Sequence, residues 1–307
     1  MTKWTAADIP DLSGKTFLVT GASSGLGLRS SEALAAKGAK VLMACRNPAK
    51  AAAALELVKT QATGAAPEVV ALDLASLTSV REGAAEVAAS VAQLDVLLNN
   101  AGIMAVPKAT TVDGFESQLG TNHLGHFALT GLLLPTLLAA PAPRVVTVSS
   151  NAHKLGRVNL DDLFFERTSY SRWRSYGQSK LANLLFSGEL QRRASVASSH
   201  LISAAAHPGY AATNLTSGPA TGAAALRPLL ALADKVAGQP DHRGALPQLY
   251  AATMSEVARD DYWGPDGFRE QRGHPTRVQR SKYARDEATA RGLWERSEAL
   301  TGVTYPW

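Results

Sequence analysis

From Thr16 to His207, short apolar runs and helical segments take turns along the chain, and that alternation is the strongest constraint on its fold. Thr16-Phe17-Leu18-Val19-Thr20, Lys40 to Ala44, Glu68 to Leu72, Asp95 to Leu98, Arg144 to Val148 and Leu201 to Ala206 read as buried strands. Brief runs rich in β-branched residues suit the pleat of a covered sheet. Between them lie helical spacings: Leu26 to Lys37, stopped by Gly38; a segment opened by Asn47-Pro48 and ending near Gly64; one capped by Ser76 and reaching Val91; Thr121 to Leu138; and Tyr176 to about Arg193. Single helices between strands require right-handed crossovers and a parallel sheet. The expectation is an α/β chain: a single-domain, Rossmann-like doubly wound parallel sheet flanked by helices on both faces and spanning 1–307. Two stretches, 151–175 and 210–241, exceed what the alternation needs. Each follows the carboxyl end of a strand, where open α/β sheets bind ligands, so both are expected to act as lids. Residues near 265–307 form a C-terminal extension.

Composition narrows the setting. With 46% hydrophobic and 19% charged residues, the chain has ample material for a core. Cys45 is the only cysteine, so no internal disulfide is possible, which fits a reducing compartment. The N-terminus has no apolar leader, and the apolar stretch Phe127 to Ala140 is broken by Thr130, Gly131, Pro135 and Thr136. No membrane span is expected, and a cytoplasmic location follows. The formal charge of +5 is 31 basic minus 26 acidic side chains. Its excess gathers at Arg269, Arg272, Arg277, Arg280, Lys282 and Arg285, interleaved with Glu270 and Asp286. That pattern reads as a solvated tail region rather than a nucleic-acid face. No His, Cys or carboxylate cluster has metal spacing, so no metal is expected. His123, His126 and His207 read as helix, core or turn residues, and His153 as a loop residue that could face a substrate.

Chemistry concentrates at the strand ends. The turn Thr20-Gly21-Ala22-Ser23-Ser24-Gly25-Leu26-Gly27 joins the first strand to the first helix. Its glycines allow close backbone approach, and the helix start offers free N–H groups to a pyrophosphate. The second strand ends Ala44-Cys45-Arg46-Asn47 without the carboxylate that would hold an NAD ribose. Arg46 would instead pair with a 2′-phosphate, which argues for NADP(H); the alternative is a solvated arginine. Asp73, followed by Leu74, stands after the third strand, where it can accept from an adenine amine or take part in capping. Asn99-Asn100-Ala101-Gly102 ends the fourth strand with room for backbone beside a coenzyme. Tyr176 and Lys180, four apart, share one helix face, so the ammonium could lower the tyrosine pKa and make it a general acid/base. Taken alone, such a pair is more often a surface pair on an amphipathic helix.

In order along the chain, Thr20 to Gly27, Asn99-Asn100-Ala101-Gly102, Ser150, Tyr176-x-x-x-Lys180 and His207-Pro208-Gly209 resemble the short-chain dehydrogenase/reductase superfamily. Ala44-Cys45-Arg46, Asp73-Leu74-Ala75-Ser76, Gly120-Thr121-Asn122-His123-Leu124-Gly125-His126-Phe127 and Ser179-Lys180-Leu181-Ala182-Asn183 resemble its retinol-dehydrogenase-like branch, over roughly residues 14 to 265. The resemblance implies that Tyr176 donates the proton to a carbonyl and that Ser150 polarises the substrate oxygen. Lys180 would hold the coenzyme ribose and lower the tyrosine pKa, and Asn122 would keep a water that links Lys180 to solvent. Gly21, Ser23, Ser24, Gly25, Leu26, Gly27, Arg46, Asp73, Leu74, Asn100, Ala101 and Gly102 would line the dinucleotide. Pro208, Gly209 and Thr213 would hold its nicotinamide end. The substrate implied is a small-molecule carbonyl or alcohol, bulky and apolar, against a wall of Leu155, Leu163, Phe164, Phe165, Tyr170, Trp173, Tyr210 and Leu215. Homo-oligomers are possible, since the family assembles through the helices led by Asn122 and Tyr176. The rival reading is a non-catalytic NADP-binding redox regulator, against which an intact Ser150, Tyr176 and Lys180 count.

Overall fold

Residues 3–210 and 239–307 are described by the structure, a computed structural model. The expected strands form β1 (Thr16–Thr20), β2 (Lys40–Cys45), β3 (Glu68–Ala71), β4 (Val96–Asn99), β5 (Arg144–Val148) and β6 (Ile202–Ala206). Two more, β7 (Tyr262–Pro265) and β8 (Pro275–Arg277), complete an eight-stranded sheet ordered β3-β2-β1-β4-β5-β6-β7-β8. Every pairing is parallel except β7 with β8. The order reverses between β1 and β4, which leaves a crevice at their carboxyl ends.

Helices cover both faces because strand residues alternate sides. Phe17, Val19, Val41, Met43, Leu98 and Val146 face α1 (Gly25–Ala35), α2 (Pro48–Gln61) and a later helix described below. Leu18, Leu42, Val70, Leu97 and Val145 face α3 (Leu77–Ser90), α4 (Gly125–Leu138) and α5 (Arg172–Val196). The expected caps are present: Asn47 accepts from the Lys50 amide, and Ser76 from the Ser79 amide. The helix expected from Thr121 starts earlier, as a turn at Ser117–Leu119, and passes through a π-helical turn, Gly120–Leu124, before α4. Helix α5 also begins before Tyr176, so the tyrosine lies inside a formed turn rather than at a frayed end.

After β6 the described chain resumes with a short helix at Asp241–Gly244, followed by α6 (Leu246–Thr253) and α7 (Glu287–Thr301). α6 packs on the first face through Leu249 and Ala252. α7 and the residues after it lie over α4 and α5. Trp294 stacks on Phe186 with ring centroids 5.9 Å apart, and the Tyr305 hydroxyl donates to the Phe127 carbonyl at 2.8 Å.

The stretch 151–175, expected as a lid, is bonded to itself and to α5. Asp162 accepts from the Glu166, Arg167 and Thr168 amides, Gln178 donates to the Leu163 carbonyl, and Leu163 and Phe165 are buried. Leu163 and Phe165 thus close their own loop, while Leu155 and Trp173 stay exposed. The basic C-terminal residues are largely solvated, as expected, with Arg269, Arg272, Arg277, Lys282 and Arg285 exposed; the exception is Arg280. Arg280 is 8% exposed and lies 2.6 Å from Asp260, while Arg277 pairs with Asp261 at 3.2 Å. The second expected lid, Thr213 and Leu215 fall almost wholly at 211–238, outside the described residues. Among the described residues no helix is long and apolar enough to cross a membrane, and no group of His, Cys, Asp and Glu could hold a metal ion.

The seat of the C-terminal segment on α4 is tight. A Cβ on Gly131 would stand 2.6 Å from Val303 Cγ1 and 2.9 Å from Tyr305 Cε2. Gly131→Val should therefore displace that segment and lower stability by about 1–3 kcal/mol, the range for overpacking a filled site. A thermal midpoint equal to wild type would show that the seat is loose.

Candidate active site

The crevice at the β1–β4 reversal opens into a cleft of about 570 Å3. Its walls include Gly21, Ser23, Ser24, Gly25, Leu26 and Gly27 from the first turn, Arg46 after β2, Asp73 and Leu74 after β3, and Asn100, Ala101 and Gly102 after β4. The sequence-derived dinucleotide residues that precede β5 are thus brought together. Gly27 has to be glycine, because a Cβ there would stand 2.3 Å from the Gly21 carbonyl oxygen. Ser24 takes the N-cap position of α1 without a side-chain cap bond, so the first amides of the helix keep their donors for a ligand. Asp73 accepts from the Ala75 amide, while the capping of α3 falls to Ser76.

Sequence reasoning missed Lys50, which lines the same wall as Arg46. It stands in the first turn of α2, two residues after Pro48. A lysine on an alanine-rich helix reads as solvated, but its spacing of four from Arg46 was a usable signal. Also missed was the hub beneath the cleft. The Thr20 hydroxyl oxygen receives the Asn100 and Ala101 amides, each at 2.9 Å, and lies 2.9 Å from His126 Nε2. His126 Nδ1 faces the Asn122 carbonyl at 2.9 Å, so that nitrogen carries the proton and Nε2 accepts from Thr20. Burial holds His126 down to about 4, so the ring stays neutral. One histidine thereby joins the glycine turn to the π-helical turn that carries Asn122.

Asn122 accepts from the Ile103 amide at 2.8 Å and donates to the Ile103 carbonyl and the Ser179 hydroxyl. A Cβ built on Gly102 would lie 3.0 Å from Asn122 Oδ1 and 3.4 Å from Lys180 Nζ, so both groups flank the glycine. The Lys180 ammonium donates to the Val148 carbonyl at 3.2 Å, and burial lowers its pKa to about 8. Tyr176 is 7% exposed, in edge contact with Trp173, and its phenol engages the Ser150 hydroxyl.

Here the electrostatic expectation reverses. Burial pushes Tyr176 up to about 12, opposed by the Ser150 hydrogen bond. Lys180 Nζ stands 5.9 Å from the Tyr176 ring centroid and does not offset that burial. At neutral pH the tyrosine is therefore held as an acid with its proton in place. Pro208 and Gly209 follow β6, and His207 Nδ1 accepts from the Gly209 amide at 3.2 Å. His153 is fully buried, with Nδ1 2.7 Å from the Ser150 carbonyl, so it orients the serine turn and does not face a substrate.

The buried lysine sets a stability prediction. An unfolded lysine titrates near 10.5 and the folded one near 8, so the penalty for burying the ammonium is full below about pH 8 and vanishes above about 10.5. Lys180→Met should stabilise the unliganded protein at pH 7 by on the order of 2 kcal/mol, with a shrinking advantage as pH rises. Unfolding midpoints from pH 7 to 10 measure it. A variant less stable than wild type at pH 7 contradicts the assignment.

The family model described as short chain dehydrogenase matches residues 15–221. Retinol dehydrogenase 13 of Homo sapiens is 38% identical over 298 residues, covering 95% of this chain and 86% of that protein. Retinol dehydrogenase 14 of Mus musculus is 40% identical over 302 residues, covering 94% and 86% respectively. Among solved structures, an uncharacterised protein from Mycobacterium paratuberculosis superimposes with a TM-score of 0.82 at 48% identity, with each chain covered in full.

Proposed function

Since the chain belongs to the short-chain dehydrogenase family of nicotinamide-dependent oxidoreductases, we propose that it is an NADP(H)-dependent enzyme that reduces bulky apolar aldehydes or ketones to alcohols. The observation that carries the reading is the meeting of the Ser150 hydroxyl with a buried, protonated Tyr176 phenol, one helical turn from Lys180.

The residues present fit a dinucleotide. The approach of Gly27 to Gly21 forms a cradle that a side chain would fill, the α1 amides suit a pyrophosphate, and Arg46 with Lys50 suits a 2′-phosphate. Bound there, the coenzyme supplies the hydride. The remaining work falls to the chain. Ser150 donates to the substrate oxygen as negative charge grows on it. Tyr176 gives that oxygen its proton. Its raised pKa keeps the proton available through neutrality. Lys180 and Asn122 both flank Gly102, which supports Lys180 as the group that holds the ribose and Asn122 as the keeper of a water linking it to solvent. Pro208 and Gly209 would set the nicotinamide face.

Relatives named for retinol support an apolar substrate. So do Leu155 and Trp173, which stay 73% and 57% exposed beside the Ser150 turn and Tyr176. In this reading one domain carries both coenzyme and substrate sites in the cytoplasm. An oligomer built on α4 and α5 would first have to displace α7, which covers them within the chain. Turnover of a panel of apolar and polar carbonyls with NADPH and with NADH tests the proposal. Coenzyme binding without turnover on any member would replace it with the regulator reading.

A further inference from the structure

The loop between β7 and β8 carries two consecutive non-glycine residues in the left-handed region, Arg269 at φ 51° and Glu270 at φ 57°. Such backbone persists only where surrounding contacts enforce it. The enforcing contacts reach both turns of the active site. Asn151, next to Ser150, donates from Nδ2 to the Arg269 and Glu270 carbonyls at 3.4 and 3.2 Å. Lys154, in the same turn, places Nζ 3.0 Å from Glu270 Oε2. On the other side, His207 Nε2 lies 3.2 Å from that oxygen, close enough for attraction although off-line for a regular hydrogen bond. The Tyr210 amide donates to the Gln271 carbonyl at 2.7 Å, and Gln239 bridges the Pro208 carbonyl to the Gly273 amide.

His207 is the hinge of this arrangement. Its Nδ1 accepts from the Gly209 amide, so the neutral ring carries its proton on Nε2, the nitrogen that lies 3.2 Å from Glu270 Oε2. Beneath it, Tyr262 supports both histidines, with its ring 5.2 Å from His207 and 5.8 Å from His153. His153 in turn holds the Ser150 carbonyl. A single carboxylate thus bridges the turn that carries the substrate-polarising serine and the turn at the nicotinamide end. Its own pKa is drawn down to about 2 by His207 and Lys154, so it is charged throughout the working range.

We propose that Glu270 is a positioning residue for hydride transfer, a latch that fixes the Ser150 turn relative to the His207-Pro208-Gly209 turn. The inference rests on the oxidoreductase reading above. Its physical basis is that reaction rate falls steeply when reacting groups are misplaced by fractions of an ångström to an ångström. The latch sets the relation between two separately anchored turns without touching substrate or coenzyme.

Glu270→Gln keeps the shape and removes the charge. Carbonyl turnover with NADPH should fall roughly tenfold, while NADPH affinity stays within about threefold, because most of the dinucleotide cleft lies elsewhere. In the same protein, hydrogen exchange of the amides at 151–156 and 207–210 should speed up, with the thermal midpoint nearly unchanged. Lys154→Met should shift the same quantities in the same direction, by less. Wild-type turnover together with wild-type exchange would overturn the latch. So would parallel losses of midpoint, NADPH affinity and turnover, which would make Glu270 a contact of general stability. If the wild type reduces no carbonyl, the oxidoreductase reading fails, and the exchange measurement alone still decides whether Glu270 holds the two turns together.

Discussion

Tyr176→Phe should lower carbonyl reduction by at least about a hundredfold and by as much as about ten-thousandfold, the span of general acid catalysis. The change removes one oxygen from a ring that is 7% exposed, packed edge-on against Trp173, and set inside a formed helix. The cleft formed before β5 is untouched, so NADPH should bind as in wild type. The loss should therefore appear in kcat, with coenzyme affinity constant. The pH dependence is equally specific. With the phenol near 12, reduction should stay flat across neutrality, because the acid form is present throughout. Alcohol oxidation, which needs the phenolate, should climb with pH over the same range in wild type and lose that climb in Tyr176→Phe. Near-normal turnover in the variant, on any substrate the wild type accepts, would remove Tyr176 from the proton transfer.

Replacing both Arg46 and Lys50 by alanine should weaken NADPH binding about a hundredfold to ten-thousandfold and leave NADH nearly unaffected. NADP differs from NAD by a phosphate on the adenosine ribose, and β2 ends at Cys45 with no carboxylate to repel it. Each charge-assisted bond to that phosphate contributes about 1.5–3 kcal/mol, or roughly ten- to a hundredfold in affinity. Arg46→Ala and Lys50→Ala alone should each give part of the loss. Titrations of both coenzymes against wild type and the three variants measure it. Tighter binding of NADH by the wild type, or undiminished NADPH affinity in the double variant, would refute both cations as phosphate ligands.

The sheet through β6 and the first-turn cradle were legible because local pattern and global placement agree there. Apolar β-branched runs lie where strands must be buried, and glycines lie where backbone must approach closely. β7 was illegible because Tyr262-Trp263-Gly264-Pro265 contains residues that oppose strands. It forms because Tyr262 and Trp263 are buried against the core and the antiparallel β8 takes its outer edge. Tyr176, Ser150 and Lys180 could be named from spacing and resemblance, but the direction of the tyrosine shift could not. It depends on how far Lys180 Nζ stands and how much water burial removes, both properties of the packed state. Glu270 was hidden for a similar reason. Within Gly267 to Gly273 it reads as one charge among arginines, and only the folded sheet brings it against His207 and Lys154.

The seat of Tyr305 on Phe127 joins residues 178 apart in sequence. During synthesis, then, the apolar flank of α4 emerges long before the segment that covers it. Until the residues around Val303 and Tyr305 leave the ribosome, Phe127 lacks its late partners Trp294 and Tyr305. A nascent chain in that interval exposes a sticky helix, the kind of surface that chaperones hold and that aggregation exploits. Docking of Trp294 and Tyr305 is what covers that flank of α4.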